Sequence, residues 1–241
     1  MRRHSSHKDT HSASAWIMDI PTLPTILSPI GALHEKLMKL YITPTSPYAR
    51  IVRATILEKG LADRVEIIKA ITRKADSPYF AVNPSGRVPY LERDDGIGME
   101  DSQLIAAYLD SLDGKPSIVP ALNLENWAYG RLETYARSMV DGISVWVREM
   151  RRAENERSPI ILAHEATRAG RLADFWENEI SAPLMNGPFN LAQLILIVGI
   201  DFAAHGRMGD YTDGRPQLGR WAARMRQRPS LAATAPTAAA T

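Results

Sequence analysis

The sequence predicts an α/β amino-terminal half, with elements in the order βαβ then ββα, followed by a half that is all helix. Three observations predict it. Between residues 38 and 112, short apolar or alternating runs are interleaved with helix-period segments, the pattern of strands joined by crossover helices. Past residue 122 the strand signals cease, and long segments repeat apolar residues every three or four positions, the period of amphipathic helices. A Gly- and Pro-bearing connector, "DGKPSIVPA", lies between the two patterns.

Composition narrows the function classes. A chain of 241 residues that is 45% hydrophobic can bury a core as one large domain or two small ones. Lys plus Arg (29) nearly balance Asp plus Glu (27), and the net charge of +2 provides no nucleic-acid footprint. The chain has no cysteine, which excludes disulfides, thiolate metal sites and a cysteine nucleophile and fits a reducing compartment. Any thiol chemistry therefore uses a thiol brought in from outside.

Residues 1–37 read as a poorly ordered extension. "MRRHSSHKDTHSASAW" is polar and aperiodic, and the more apolar stretch after it is broken by Pro21, Pro24, Pro29 and Asp19. It makes neither a membrane span, which needs about 20 uninterrupted apolar residues, nor a well-shaped secretory signal. His4, His7 and His11 could form a metal tract, but their context reads as a loose tail. Folded structure is expected from Met38, which is also a candidate natural start.

In the α/β half, "KLYIT" reads as a strand and "YARIVRATILEKG" as a mostly buried helix ending at Gly60. Ser46 is placed as its N-cap and Pro47 as its first residue. "RVEIIKA" reads as a second, parallel strand, and a short helix is expected around Ser77 to Ala81. "NPSGRVPYLERDDGIGME" is a turn leading into a hairpin about Asp-Asp-Gly. Pro89 is anomalous there: it cannot donate to a ladder, so it either weakens the strand or marks a special backbone. "DSQLIAAYLDSL" places Leu104, Ile105, Tyr108, Leu109 and Leu112 at one-face helical spacing, with Asp101 and Ser102 in the capping region.

Residues 113–122 read as a linker and 123–228 as the helical domain, with helices at about 123–153, 159–180, 190–205 and 216–227. On the first, Leu132, Tyr135, Met139, Ile143, Trp146 and Met150 form a stripe. A stripe of this kind packs a core or lines a ligand pocket; Tyr135, Met139 and Trp146, with Tyr48, are its candidate pocket residues. "NLAQLILIVGIDFAA" is apolar nearly all round and reads as the central helix, started by an Asn190–Gln193 capping box. Residues 229–241 are low in complexity and expected to fray.

"TSPYAR" at the first helix, "NPSGRVP" before the hairpin and "DSQLIAAYLD" at the third helix, in that order and at those junctions, resemble the glutathione S-transferase family, in particular bacterial members with a Ser-Pro-aromatic first helix. The resemblance covers Met38 to about Arg228. It implies a thioredoxin-like amino-terminal domain (βαβ-ββα), an all-α helical-bundle domain and a cis Val88–Pro89 bond. It also implies that glutathione is co-substrate and that no metal takes part. The Val88 backbone and Pro89 would pair strand-fashion with the cysteinyl part of the tripeptide. Asp101 and Ser102, in place of the more common Glu-Ser, would hold the γ-glutamyl ammonium and carboxylate at a helix N-terminus, or serve simply as caps. Arg87 would steer the anionic peptide.

Ser46 is the candidate catalytic residue, because a hydroxyl at a positive helix end stabilises a thiolate, although it could be a pure N-cap; Thr43, Thr45 and Tyr48 could substitute. The implied function is a cytoplasmic, homodimeric glutathione transferase that activates the thiol for attack on small apolar electrophiles, with a detoxifying role and neither nucleic-acid nor membrane partners. The alternatives are a non-catalytic transferase-like binding or regulatory protein, and a glutathione-dependent isomerase, dehalogenase or peroxidase.

Overall fold

The computed structural model describes residues 37–113, 115–120 and 126–236, which belong to one compact unit, Glu35–Thr241. The expectations for residues 1–36, for 121–125 in the linker and first long helix, and for 237–241 lie outside the described residues.

Strand β1 (Met38–Ile42) alternates buried and half-exposed residues, so one face meets the core. Helix α1 (Pro47–Glu58) follows, and Gly60, at φ 65°, lets the chain leave it. After a single 3₁₀ turn, β2 (Val65–Lys69) pairs parallel to β1 with Met38 opposite Val65. A short α2 (Tyr79–Val82) leads to β3 (Tyr90–Glu92) and β4 (Gly98–Glu100), an antiparallel hairpin whose β3 pairs with β1 through Leu40 and Leu91. Pro89 stands immediately before β3 rather than within it, so no ladder bond is lost. The sheet order is β2-β1-β3-β4.

Helix α3 (Ser102–Asp110) packs beside α1 on the face made by Leu40, Ile42, Val52, Leu91, Ile105 and Leu109. Leu104, expected on that buried face, is 55% exposed, while Ala106 is buried against the core of the helical half. Lys59 closes this layer below. Its ammonium meets Asp110 at 3.0 Å and Asp113 at 2.8 Å, with its side chain almost wholly buried.

The helical half comprises α4 (Trp127–Met150), α5 (Pro159–Glu179), a one-turn α6 (Pro183–Asn186), α7 (Leu191–His205), α8 (Pro216–Arg226) and α9 (Pro229–Ala233). Helix α7 is the core expected of it, buried on every side from Leu191 to Ile200. Its start is half of the capping box: Asn190 Oδ1 accepts from the Gln193 N–H at 3.1 Å, but the Gln193 amide donates to the Leu184 and Pro188 carbonyls. At Gly199 a Cβ would lie 3.0 Å from the Val140 side chain, so α4 and α7 approach closely there. No described helix is long and apolar enough to cross a membrane.

The expected fraying from residue 229 is corrected. Residues 229–233 form α9, Ser230 and Leu231 are buried, and the Arg50 guanidinium donates to the Leu231 carbonyl at 3.3 Å. Low sequence complexity leaves few distinctive side chains, but Leu231 supplies an apolar anchor and Arg50 a charged donor.

Arg50 sits where the two halves meet. From α1 it pairs with Asp201 of α7 at 2.9 Å, both side chains nearly buried, and Arg226 reaches the other Asp201 oxygen at 2.8 Å. Removing one partner of a buried pair strands the other. Asp201→Ala is therefore expected to destabilise by about 3–5 kcal/mol, read as a lowered urea midpoint at unchanged slope. The double variant Asp201→Ala/Arg50→Met should recover most of that loss; no recovery would reject the ion pair as the cause.

Burial pushes the Asp110 carboxyl up, but the Ile118 N–H, the Ser117 hydroxyl and Lys59 together pull it below the usual carboxylate range. Its stabilisation is thus complete above the unfolded value of about 3.9 and is lost as pH falls through the lower folded value. Asp110→Asn should lower stability at neutral pH and flatten the acid limb of the stability profile.

Candidate active site

Between the α/β layer and the inner faces of α4 and α7 lies a cleft of about 760 Å³. The start of α1 forms one wall. Ser46 has extended backbone (φ −76°, ψ 121°), and its Oγ accepts the Ala49 N–H at 3.2 Å. The first-turn N–H groups of a helix have no intrahelical acceptor, which is why a serine belongs here. The cap uses only a lone pair of the oxygen. The Ser46 hydroxyl proton has no acceptor among the described residues, so it is free to donate into the cleft.

Tyr48, two residues on, is committed elsewhere. Its hydroxyl donates to Asp141 Oδ1 on α4 at 2.6 Å. Burial, then the hydrogen bond to Asp141, push the phenol well above its ordinary range, against a smaller opposing effect of Ser144. A phenol has one proton to donate; here a carboxylate holds it, which removes Tyr48 from the candidates for activating a thiol. Thr43 contributes its carbonyl, which accepts the Ser46 N–H at 3.1 Å, and Thr45 is exposed at the rim.

The Asn-Pro-Ser-Gly turn builds the second wall. Gly86 adopts φ 66°, the region that favours glycine. Asn83 Oδ1 accepts from Ser85 N–H at 3.2 Å, while its amide donates to the Arg87 carbonyl at 3.0 Å and to Glu100 at 3.2 Å. The Tyr79 hydroxyl donates to the same carbonyl at 2.5 Å, and the Ser85 hydroxyl donates to Glu100. Those donors from Ser85 and Asn83 hold the Glu100 carboxyl below the usual range. The turn presents a cis Val88–Pro89 bond. The N–H and C=O of Val88 make no hydrogen bond among the described residues, although both backbone groups of Arg87 are taken.

The third wall is the start of α3. Asp101 caps it, Oδ1 accepting from Gln103 N–H at 2.9 Å and Leu104 N–H at 3.2 Å. Its φ of 78° lies in a region that costs a non-glycine residue about 1–3 kcal/mol and is over-represented at functional sites. The Gln103 side-chain amide, in its donating orientation, reaches both Asp101 oxygens, at 2.7 and 3.2 Å, and the buried Ser102 beside them makes no side-chain hydrogen bond among the described residues.

The fourth wall is α4, through Arg137, Asp141, Ser144, Val145, Arg148 and Arg151, with Val147 and Phe202 contributing apolar surface. Among the described residues no group of three or more His, Cys, Asp or Glu side chains could hold a metal ion. The arrangement can bind a short polar chain along the Val88 edge, hold a charged terminus at α3, and offer a neutral O–H donor to an anionic atom at the mouth of α1.

Residues 40–117 match the family described as glutathione S-transferase, N-terminal domain. The chain is 28% identical over 214 residues to glutathione S-transferase 2 of Saccharomyces cerevisiae, covering 83% of this chain and 91% of that protein. It is likewise 28% identical over 201 residues to the GST-like protein YibF of Escherichia coli K12, covering 83% and 98%. A crystal structure of a glutathione S-transferase from Methylobacillus flagellatus KT, with glutathione bound, superposes with a TM-score of 0.75 at 27% identity, covering 83% of this chain and 100% of that one. Over residues 40–117 the chain thus carries a glutathione S-transferase amino-terminal domain, and over about four-fifths of its length it is similar to glutathione S-transferases.

Of the positions assigned from the likeness to glutathione S-transferases, the cleft brings together Ser46, Tyr48, Arg87, Val88, Pro89, Asp101 and Ser102. It does not bring in Tyr135, Met139 or Trp146, which corrects that part of the expected pocket. Met139 is buried at 1% exposure, Trp146 packs on the helical core, and Tyr135 stacks on Phe175 of α5 with ring centroids 4.1 Å apart. The cleft residues of α4 form a different stripe, Arg137, Asp141, Ser144, Arg148 and Arg151, at spacings of four, three, four and three. That spacing was present in the sequence, but polar residues at helical period read as a solvated face.

The bond to Asp141 makes a spectroscopic prediction. In an ultraviolet pH titration, the tyrosinate signal missing from Tyr48→Phe relative to wild type should emerge only above the ordinary phenol range. A Tyr48 signal within that range would refute the bond.

Proposed function

We propose that the chain is a glutathione transferase: it binds glutathione in this cleft and activates the thiol for attack on a small electrophile. The observation that carries the reading is the free Ser46 hydroxyl proton, set at the open N-terminus of α1 in the cleft that also holds the unpaired Val88 backbone and the α3 start. The glutathione in the similar Methylobacillus structure supports it.

The mechanism follows from the walls. The cysteinyl stretch of the tripeptide lies against Val88 as an added strand. Its γ-glutamyl carboxylate meets the Ser102 N–H and hydroxyl at the start of α3, and its ammonium meets the Asp101 carboxylate in competition with the Gln103 amide. Arg87, exposed on the rim, steers the anionic peptide. The sulfur then faces Ser46. A free thiol, with a pKa of about 8.5, is mostly protonated at neutral pH; an O–H donor at a positive helix end favours S⁻, and each unit of lowering corresponds to about 1.36 kcal/mol. The thiolate forms a bond to the electrophilic carbon, and the displaced group leaves with the bonding pair. The apolar electrophile expected from the sequence would meet only Val145, Val147 and Phe202 on the opposite wall. The same reading carries over a cytoplasmic homodimer with a detoxifying role.

Ser46→Ala tests the reading directly. Its kcat with a chlorinated nitroaromatic should fall on the order of 100-fold, the usual loss for one preorganised donor, while glutathione affinity changes little. The pKa of the bound thiol, read from the pH dependence of thiolate absorbance, should rise toward the free value. Unchanged turnover and an unmoved thiol pKa would remove Ser46 from the mechanism.

A further inference from the structure

The wall that faces Ser46 carries a cationic cluster beside its small apolar patch. Arg148 and Arg151, one turn apart at the end of α4, enter the cleft from the helical side, and Arg73 enters from the loop after β2. Among the described residues none of the three has a carboxylate within 4.0 Å, whereas Arg137 on the same wall meets Glu133 at 3.9 Å. The carboxylates of the cleft are occupied: Tyr48 donates to Asp141, Ser85 and Asn83 donate to Glu100, and the α3 backbone donates to Asp101. Burial, then Arg73 and Arg148, make the charged form of Arg151 harder to hold. Cations at a helix C-terminus gain from its dipole, which accounts for one of these residues at a time. It does not account for Arg73, which comes from the opposite side toward like charges.

The chemistry beside the cluster fits the same ligand. A depression of about 500 Å³ continues from the cleft past Arg73 and Arg151, bordered by Thr43, Thr45, Thr72 and Lys74. Lys74 pairs with Asp76 at 3.3 Å, but hydroxyl donors interleaved with the unpaired Arg73 and Arg151 form a complement to an anionic group, and a guanidinium presents donors in the fork that matches a carboxylate. Resting on the glutathione reading above, we propose that the second substrate is an anionic electrophile, one that carries a carboxylate held by Arg148 and Arg151 while its reactive carbon faces Ser46. The tripeptide is itself a carboxylate source. Its proposed contacts, however, all lie on the α/β half, whereas Arg148 and Arg151 stand on the helical wall where the second substrate is held.

Titration calorimetry with two glutathione conjugates tests this without turnover: S-(4-carboxybenzyl)glutathione and its S-(4-carbamoylbenzyl) isostere. Wild-type protein should bind the carboxylate conjugate about tenfold or more tighter, the scale of hydrogen bonds to a charged group. In Arg148→Gln/Arg151→Gln, whose side chains lie at the surface of α4, that preference should vanish while affinity for glutathione itself is retained. Equal binding of the two conjugates by wild type, or a preference that survives in the variant, would overturn the proposal. A loss shared equally by free glutathione would overturn it too, by assigning the pair to the tripeptide's own carboxylate. If wild type binds glutathione in no form, the glutathione reading fails first and this proposal fails with it.

Discussion

Arg50 and Asp201 hold the architecture at one point. Helix α1 is buried on two sides: one meets the sheet through Ala49, Val52 and Ile56, and the other contributes Ile51 and Ala54 to the core of the helical half. A guanidinium buried in that second interface is tolerated only because Asp201 meets it. Arg226 and the Leu231 carbonyl complete the arrangement, so α1, α7, α8 and α9 converge on one charge pair. Glu58, at the far end of α1, repeats the device with Arg228 and Ser230. The helix that carries Ser46 at its tip is thereby fixed against both halves. A donor that must meet an anionic atom at hydrogen-bond distance needs such fixity more than it needs any single neighbour.

The tip of α1 separates two hydroxyls by their surroundings. Ser46 uses a lone pair to cap the helix and keeps its proton; Tyr48 gives its proton to Asp141 and in doing so ties α1 to α4 across the cleft. The cap and the proposed donor role are compatible, because they use different parts of one oxygen. Asp101, with its strained backbone, is shared as well. One carboxylate oxygen ends α3, and the Gln103 side-chain amide lies against both.

Helix α4 shows how one segment reads two ways. Its apolar stripe was legible as a stripe, and Leu132, Met139 and Ile143 are core, as the period alone implies. Which way Tyr135 and Trp146 face was not legible, because aromatic residues beside a stripe turn toward whichever neighbour offers a flat partner. Phe175 on α5 takes Tyr135. The cleft face carries arginines, an aspartate and a serine, and in isolation such a face is indistinguishable from one turned to water. Only the position of the α/β layer opposite makes it a wall.

Local chemistry determined much of this protein from its sequence alone. Proline and glycine marked the turns, Ser46 and Asp101 marked helix starts, and the change of hydrophobic period marked the boundary between sheet and bundle. The likeness carried by three short motifs extended that to the cis bond before Pro89. These signals depend on interactions within a few residues, which the order of the chain preserves. Tertiary structure decided the rest: that residues 229–233 close a helix under Arg50, that Leu104 faces outward, that Tyr48 spends its proton on a residue 93 positions away, and that Arg73 meets Arg151 with no acid between them. Each depends on what a side chain meets across the fold, and the strength of a charge or hydrogen bond there is set by burial and by partners that sequence separation does not encode.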